Sequence, residues 1–485
     1  MKNILLITTP WEENPITAPT TDDETHYPIG LAYLHSYLES KGYDVDTLWL
    51  NNADDSGHNS WRKTLSMYLN HRRYFVVGFN VLTMNRTSTY EGIEYVHENY
   101  PNIQIVLGGI HATIMYEQII KKYPYVIVIR GEGEITFVDL LSALENHIPL
   151  FDIPGIAYYY HNGMVIATPD RELIEDLDIL PFPEHHIFFS YRPVSHPRSR
   201  ISECTRTFAG ILTSRGCPNH CSFCCLNPVS KRTVRFRSIP NVIKEVQYLI
   251  KNFPTLTTIW IHDDSFFLNN NRVIEFCDEI IRLGIKIDFV CSGRVKPLSS
   301  EMVLKLERAG FKTVMLGLES GDNQILNSCH KGITQDDVTK AVELFAKSSI
   351  DLVLFLIVGL PGETTETITT TAKFIQKLQK IKYIFYQDIG ILMVYPGTEV
   401  YQLMKDSGKI SDDYWLAEQP TPIYTADNTI ETMYEFKNLL LDHIAIHRII
   451  TASGFIHQWY IIAWGVSYIA RKLRKKLERQ SGWYI

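Results

Sequence analysis

Short apolar runs alternate with longer amphipathic segments over the first 145 residues. Runs such as NILLITT, YFVVGFNV, IQIVLGG and YVIVIRG are continuously apolar, whereas IGLAYLHSYLESKG repeats its apolar residues at helical spacing. Helices placed between fully apolar strands are typical of a parallel sheet covered on both faces. We therefore predict an α/β, doubly wound (Rossmann-like) domain over residues 1–145, with ligands at the carboxyl ends of its strands.

Residues 146–207 lack this alternation and predict a linker. The stretch GIAYYYHNGMVI indicates a small hairpin with Asn162 and Gly163 at its turn, because an Asn-Gly pair suits a tight hairpin. The stretch LDILPFPEHH is interrupted by prolines, as connectors often are.

The alternation resumes with a different period over residues 208–400. Six apolar segments predict strands, from TFAGILTSRG to YIFYQDIGILMVYPG, and five helical segments separate them. This order favours a partial (β/α)6 barrel, in which functional residues collect at the carboxyl ends of the strands.

Residues 401–485 contain no strand pattern and predict a helical region. Within it, FIHQWYIIAWGVSYIA is followed directly by the basic stretch RKLRKKLER. The favoured interpretation is a helix packed over the barrel with a solvated basic tail. The alternative is peripheral contact with an anionic membrane surface.

Composition narrows the class of protein. A hydrophobic content of 45% and a charged content of 21% are typical of a soluble globular chain, and a net charge of −7 disfavours a dedicated nucleic-acid binder. The amino-terminal apolar run is too short for a secretion signal, so we expect a cytoplasmic protein. Eight cysteines in that reducing compartment indicate metal or redox chemistry rather than disulfides.

The stretch SRGCPNHCSFCC follows the first predicted barrel strand. Cys217, Cys221 and Cys224 can ligate three irons of one iron–sulfur cubane, which leaves the fourth iron open to a substrate or cofactor. Cys225 is badly aimed for the same cluster because it directly follows Cys224. The alternative is a structural zinc site that uses these three cysteines with His220 or Cys225.

With Phe223 before its last cysteine, this motif resembles that of the radical S-adenosylmethionine (SAM) superfamily, and the resemblance extends over residues 208–400. It implies a [4Fe–4S] cluster whose open iron binds SAM, and reductive cleavage of SAM to a 5'-deoxyadenosyl radical. It also implies SAM contacts at successive strand ends, namely Asp263, Arg294, Glu319, Ser320, Val358 and Gly359.

These contacts differ in chemistry. Asp263 stands in HDDSF where the family commonly has Gly-Gly-Glu, and would face the amino group of methionine. Arg294 is suited to pairing the carboxylate bidentately, and Val358 and Gly359 would lie beside adenine. The structural alternatives are a surface ion pair for Arg294, a helix cap for Glu319 and an ordinary turn at Gly359.

A doubly wound domain ahead of such a barrel resembles the cobalamin-binding branch of the superfamily. The glycine turns in LGGIHAT and IRGEGE match that branch. The resemblance implies that cobalamin lies against Asn80, Val81, Thr83, Gly108 and Gly109. The Asp-x-His-x-x-Gly motif that supplies a cobalt-binding histidine elsewhere is absent, and His111 is interpreted as a polar cap or surface residue. The alternative is a domain that has lost its cofactor.

The sequence thus predicts an oxygen-sensitive enzyme with a [4Fe–4S] cluster, SAM and cobalamin. Its expected reaction is C-methylation of an unactivated carbon in a small-molecule or peptide substrate, with electrons from an external flavodoxin- or ferredoxin-type donor. A radical cyclase or ring-rearranging enzyme of the same family fits equally well. From another class, a zinc or cobalamin-sensing protein without enzymatic activity is the remaining alternative.

Overall fold

Two largely parallel sheets organise the protein in its computed structural model, which describes residues 2–11, 28–50, 60–189, 207–385, 389–417 and 419–451. The first sheet belongs to a doubly wound domain and the second to a partial barrel. Both match the predicted fold class.

The first sheet has seven strands in the order β2-β1-β3-β4-β5-β6-β7. Its strands are β1 (Asn3–Thr8), β2 (Asp44–Trp49), β3 (Val76–Asn80), β4 (Gln104–Gly108), β5 (Val126–Ile129), β6 (Ile156–Tyr160) and β7 (Met164–Ala167). Strands β1 to β5 pair in parallel, and β6 and β7 are antiparallel additions. The order reverses between β1 and β3, which is where doubly wound sheets bind ligands.

Helices cover both faces of this sheet. They are α1 (Ile29–Ser40), α2 (Ser60–His71), α3 (Arg86–Asn99), α4 (Ile110–Lys122) and α5 (Gly133–Asn146). One face packs through Leu6, Leu38 and Phe137, and the other through Leu5, Leu65 and Leu107. This two-sided burial explains why the central strands are apolar at nearly every position.

The hairpin extends the first sheet, because β6 pairs with β5. Asn162 and Gly163 at its turn have φ angles of 64° and 82°, the left-handed backbone that an Asn-Gly pair favours. The short helix α6 (His186–Phe189) follows in the connector.

The second sheet runs in the order β15-β14-β13-β12-β11-β8, with β16 paired beside β14. Its strands are β8 (Phe208–Ile211), β11 (Thr258–Ile261), β12 (Asp288–Gly293), β13 (Phe311–Glu319), β14 (Asp351–Val358), β15 (Ile384–Phe385) and β16 (Gly390–Ile391). All of these pairings are parallel. A separate antiparallel ribbon, β9 (Ser214–Arg215) with β10 (Arg235–Phe236), follows the first barrel strand.

The barrel helices, except the first, begin at polar side chains that cap them. The helices are α7 (Asn227–Ser230), α8 (Ile239–Asn252), α9 (Asn270–Arg282), α10 (Ser300–Ala309), α11 (Asn323–Ser328), α12 (Gln335–Ala346), α13 (Thr365–Gln379) and α14 (Glu399–Asp406). From α8 onward, each cap oxygen accepts a backbone N–H of the first turn, as Ser238 does from Asn241. The caps fix where each strand-to-helix loop ends.

The carboxyl-terminal region returns to both domains. A 3₁₀ turn, Asp412–Leu416, places the fully buried Trp415 in the apolar core of the first domain, and helix α15 (Ile430–Thr451) packs on α13. The apolar and basic stretches, for which a packed helix with a solvated tail is favoured over a membrane contact, lie outside the described residues. None of the helices that the structure describes is long and apolar enough to cross a membrane.

Candidate active site

The turn after β8 is held by one buried carboxylate. Asp263, 4% exposed, accepts the backbone N–H groups of Thr213 and Ser214 at 2.6 and 3.1 Å, and their hydroxyls at 2.5 and 2.6 Å. These four bonds occupy the acceptor positions of the carboxylate. Asp263 therefore positions the chain that leads into the cysteine loop, and a direct contact to SAM remains a prediction that this geometry disfavours.

Gly216 opens the cysteine loop in a conformation that requires glycine. Its φ is 92°, and a Cβ there would collide with the carbonyl oxygen of Thr233. Its N–H donates to Oδ2 of Asp264 at 2.8 Å. The entrance of the loop is thus fixed from two sides.

The predicted cluster ligands share one loop. The amide of Asn219 lies 3.3 Å from Sγ of Cys217, and the N–H of Cys224 donates to the carbonyl of Cys221 at 3.0 Å. Burial raises the pKa of the Cys224 thiol to about 11, and the thiols of Cys225, Cys221 and Cys217 add to this. A metal cluster reverses that balance, because it binds thiolates. Soft sulfur donors grouped in this way fit an iron–sulfur cluster.

The cysteine sulfurs do not converge on a single ion. Among the described residues, His35, Glu39 and Glu184 are the one group of three or more His, Cys, Asp or Glu residues whose ligand atoms all lie within 4.8 Å of one another. Two thiolates on one tetrahedral zinc, with bonds of about 2.3 Å, are about 3.8 Å apart. The loop geometry therefore gives no support to the zinc alternative.

Arg294, directly after β12, contacts the cysteine loop. Its Nη1 lies 3.7 Å from Sγ of Cys221, and its Nη2 donates to the carbonyl of Lys331. The ammonium of Lys331 binds Oε1 of Glu319 at 2.6 Å, and both side chains are 8% exposed. Lys331 is therefore already paired, whereas Arg294 forms no ion pair with any described residue. The guanidinium of Arg294 is the cation that could bind a carboxylate of an added ligand. Lys331 was missed because it lies in a loop with no sequence signal.

The remaining predicted SAM residues form the walls behind this group. Ser320 is fully buried, and its hydroxyl accepts the N–H of Asp322 at 3.2 Å. Val358 ends β14 without exposed surface, and Gly359 follows with φ 93°. A Cβ on Gly359 would collide with the sulfur of Met433, so α15 packs directly against this turn. Contacts of these residues to SAM remain predictions.

Glu363 closes the same turn and was missed in the sequence. Its Oε2 accepts the N–H groups of Gly359 and Leu360 at 2.5 and 3.2 Å, while its buried Oε1 has no hydrogen-bond partner among the described residues. Burial raises the pKa of Glu363 to about 8 despite these two bonds. The signal in the sequence was present, since Glu363 ends the LPGE stretch, but nothing in the stretch reveals its burial.

A cavity of about 440 Å³ lies between the carboxyl ends of the first sheet and the cysteine loop. This volume is in the range of small-molecule sites. Residues of the first domain that line it include Leu6, Gly78, Asn80, Gly108, Gly109 and Phe137. Residues of the barrel side include Leu212, Arg215, Gly216, Leu226, His262 and Asp264.

The two predicted glycines have different roles. A Cβ on Gly108 would meet nothing within 4 Å, so its surface is open to the cavity. Gly109 has φ 94°, and a Cβ there would lie 2.5 Å from Oδ1 of Asn80 and 2.7 Å from the carbonyl oxygen of Val81. Gly109 therefore shapes the turn, and Gly108 leaves room for a bulky ligand. The open surface at Gly108 suits the close approach of part of a bulky cofactor such as cobalamin.

His111 is buried rather than a surface residue, and both of its ring nitrogens are engaged. Nδ1 lies 3.0 Å from Oγ1 of Thr83, and Nε2 lies 3.3 Å from the hydroxyl of Tyr90. Burial lowers the pKa of His111 to about 3, so the ring is neutral. It is a structural residue. Val81 and Thr83 are buried and are not among the lining residues of the cavity.

The doubly wound domain, the half-barrel and the three-cysteine loop together define a radical SAM enzyme with a cobalamin-binding domain. A family model described as the radical SAM superfamily matches residues 211–375, and one described as the B12 binding domain matches residues 20–141. The chain belongs to this cobalamin-binding radical SAM family.

Two relatives in sequence illustrate the range of the family. An uncharacterized methyltransferase of Pyrococcus horikoshii is 30% identical over 379 residues, which cover 77% of this chain and 78% of the relative. The anaerobic magnesium-protoporphyrin IX monomethyl ester cyclase of Rubrivivax gelatinosus is 30% identical over 361 residues, which cover 71% of this chain but 61% of the cyclase.

Solved structures share the fold. The radical SAM methyltransferase TsrM of Kitasatospora setae, solved with tryptophan and a SAM analogue, superposes with a TM-score of 0.65 at 20% identity over 84% of this chain and 77% of TsrM. The cobalamin-dependent radical SAM enzyme OxsB, solved with aqua-cobalamin, superposes with a TM-score of 0.66 at 18% identity. The superposition covers 85% of this chain and 62% of OxsB.

Family membership confirms several predictions. The protein is an enzyme, and its cofactors are a [4Fe–4S] cluster, SAM and cobalamin. The non-enzymatic zinc or sensor alternative and the cofactor-free domain are thereby set aside. The relatives include both methyltransferases and cyclases, so membership alone does not fix the reaction.

Proposed function

We propose that the protein methylates an unactivated carbon of a small-molecule or peptide substrate, using cobalamin and radical SAM chemistry together. One observation supports this above all. Gly108 at the end of β4 and Gly216 at the entrance of the cysteine loop line the same cavity, which supports a cobalamin site next to the loop proposed to hold the cluster. A reaction that uses both cofactors on one substrate needs this convergence.

The residues of the chain bind and orient. Cys217, Cys221 and Cys224 would hold the cluster, and Arg294 would pair the carboxylate of SAM beside Cys221. Asp263 fixes the approach to the loop through its four hydrogen bonds. When bound, the cofactors supply a 5'-deoxyadenosyl radical and a transferable methyl group, while the protein contributes orientation and exclusion of water.

Coverage of the relatives favours methyl transfer. The chain matches 78% of the uncharacterized methyltransferase but 61% of the cyclase, although the identities are equal. A radical cyclase or ring rearrangement is the second candidate, and the 30% identity to the cyclase supports it. Both reactions begin with reductive cleavage of SAM, so the fate of the methyl group distinguishes them.

The cellular setting is also part of the proposal. Electrons come from an external flavodoxin- or ferredoxin-type donor, and the reaction takes place in the cytoplasm.

Helix α15 reaches the turn at Gly359 through Met433, so the carboxyl-terminal region lies next to the proposed SAM site.

The test follows the methyl group of SAM. Anaerobically purified, cluster-reconstituted protein is incubated with cobalamin, a reductant, methyl-labelled SAM and the small-molecule fraction of the source organism. We expect 5'-deoxyadenosine together with label in a new product. Formation of 5'-deoxyadenosine and a new, unlabelled product would favour the cyclase, and absence of 5'-deoxyadenosine would contradict both candidates.

A further inference from the structure

Arg215 joins the cysteine loop to the doubly wound domain. Its Nη1 donates to Oε1 of Glu132 at 3.0 Å, and its Nη2 donates to Oε1 of Glu134 at 2.6 Å. The guanidinium also lies over the ring of Tyr33, 5.2 Å from its centroid. One planar guanidinium shared between two carboxylates is a directional, charge-assisted contact.

These ion pairs are largely shielded from water. The side chains of Arg215, Glu132 and Glu134 are 16%, 12% and 6% exposed. Burial alone would lower the pKa of the Arg215 guanidinium. The charges of Glu134 and Glu132 have the larger effect, so the pKa lies above its ordinary value. Breaking a shielded pair leaves an uncompensated charge, so removal of one partner costs more here than at a surface site.

A second arginine, Arg235, binds the same turn. Arg235 lies directly opposite Arg215 in the β9–β10 ribbon, and its Nη1 donates to Oε2 of Glu132 at 2.8 Å. The same nitrogen donates to the carbonyl of Ile174 at 2.7 Å. The two arginines, which face each other across the ribbon, thus both bind the turn that runs from Gly131 to Glu134. We call these two arginines with Glu132 and Glu134 the interdomain clamp.

The clamp touches both cofactor sites. Arg215 is two residues before Cys217, and Gly216 between them is fixed to Asp264. On the other side, Glu132 and Glu134 line the cavity together with Gly108. The clamp is therefore an ionic contact, among the described residues, that ties the cysteine loop to the wall of the cavity.

We propose that Arg215 is a positioning residue that couples the two cofactor sites, so that the cluster and cobalamin each bind more tightly when the other is present. The cluster orders the cysteine loop and with it Arg215, and cobalamin orders the turn that carries Glu132 and Glu134. Each therefore favours the clamped geometry that the other needs. Such coupling is reciprocal by thermodynamic necessity. It rests on the cofactor sites of the proposed function, but not on methyl transfer.

The experiment compares cobalamin affinity with and without the cluster. Dissociation constants for hydroxocobalamin are measured anaerobically on the full chain, once cluster-free and once reconstituted. In the unmodified protein we expect the reconstituted form to bind about fivefold or more tightly, the lower end of typical coupling. In Arg215→Lys the ratio of the two constants should fall to about one, because a flexible ammonium does not reproduce the planar, two-sided contact that the guanidinium makes with both carboxylates.

A second variant and a control separate coupling from folding or direct contact. Glu134→Gln removes one charge of the clamp but keeps the size and shape of the side chain. In this variant too, the ratio of the two constants should fall to about one. Arg171→Lys is the matched control, since Arg171 binds Asp139 and Thr136 on the same helix α5, and its ratio should stay unchanged. A direct loss of cobalamin contact would raise both constants and leave the ratio intact.

Three results would overturn the proposal. They are a ratio of one in the unmodified protein, a ratio unchanged in both Arg215→Lys and Glu134→Gln, or an equal loss in Arg171→Lys. If the unmodified protein binds no hydroxocobalamin in either form, the proposed cobalamin site is wrong and the coupling falls with it. Binding without a ratio overturns the coupling alone.

Discussion

Nη1 of Arg294 lies 3.7 Å from Sγ of Cys221, so the arginine that follows the third barrel strand is in contact with the cysteine loop. Arg294 is 9% exposed and forms no ion pair with any residue that the structure describes. A buried guanidinium needs compensation, because burial of an unpaired charge is costly. The cluster thiolates and the carboxylate of SAM would supply it.

Replacing Arg294 by alanine should weaken SAM binding while leaving the cluster in place. A hydrogen bond to a charged group contributes about 1.5 to 3 kcal/mol, which corresponds to about a 10- to 150-fold higher dissociation constant for SAM. Equilibrium binding of SAM to the reconstituted protein measures this, and iron content reports on the cluster. Arg308→Ala, on the exposed face of α10, is the control. Unchanged SAM affinity in Arg294→Ala would show that the carboxylate lies elsewhere.

The adjacent cysteines offer a sharper test of the ligand set. Cys221→Ala should lose iron and sulfide, because Cys221 is one of three thiolates on the cluster. Cys225→Ala should keep both, since its neighbour Cys224 occupies the ligand position. Iron and sulfide analysis and electron paramagnetic resonance of the reduced proteins compare the two variants. Equal metal loss in both would contradict the assignment and favour a site that includes Cys225.

Much of this site could be predicted because its signals are local. The cysteine spacing and the glycine pair at 108 and 109 belong to single loops, so the sequence displays them directly. Long-range partners are not displayed in this way. Arg215 meets Glu132 and Glu134 across 83 and 81 residues, and no periodicity marks that meeting.

Asp263 shows a different reason why sequence reasoning has a limit. The resemblance placed it at a strand end where SAM contacts occur, and the structure keeps it at that strand end. Its carboxylate, however, is used by Thr213 and Ser214, 50 and 49 residues earlier. A position in the fold can be inferred from strand order, whereas the direction of a side chain depends on donors that folding brings together.

The glycine pair in the cavity predicts two opposite effects. Gly108→Leu should fold normally, because a Cβ there meets no atom within 4 Å, but its side chain should fill the space proposed for cobalamin. We expect an unfolding temperature near that of the unmodified protein and loss of measurable hydroxocobalamin binding. Undiminished binding by Gly108→Leu would place cobalamin outside this cavity.

Gly109→Ala should instead destabilise the fold. A left-handed backbone costs a residue with a Cβ about 1 to 2 kcal/mol, and the contacts at 2.5 and 2.7 Å with Asn80 and Val81 add to this. Chemical denaturation measures the difference in the free energy of unfolding. A variant as stable as the unmodified protein would mean that the turn relaxes without cost.

Glu363 predicts a pH dependence of stability. Burial raises its pKa in the folded state from 4.5 to about 8, so between these values the folded protein holds a proton that the unfolded chain has released. Stability therefore falls as pH rises through this window, by up to about 1.4 kcal/mol per pH unit, and levels off above it. Glu363→Gln keeps an acceptor for Gly359 and Leu360 but cannot ionise, so its advantage over the unmodified protein should grow from pH 6 to pH 8. Urea denaturation at several pH values measures this difference.

Glu366→Gln is the control, because the hydrogen bond from Thr364 lowers the pKa of the exposed Glu366 and it does not titrate in this window. A constant difference between Glu363→Gln and the unmodified protein would show that Glu363 is already ionised inside the turn.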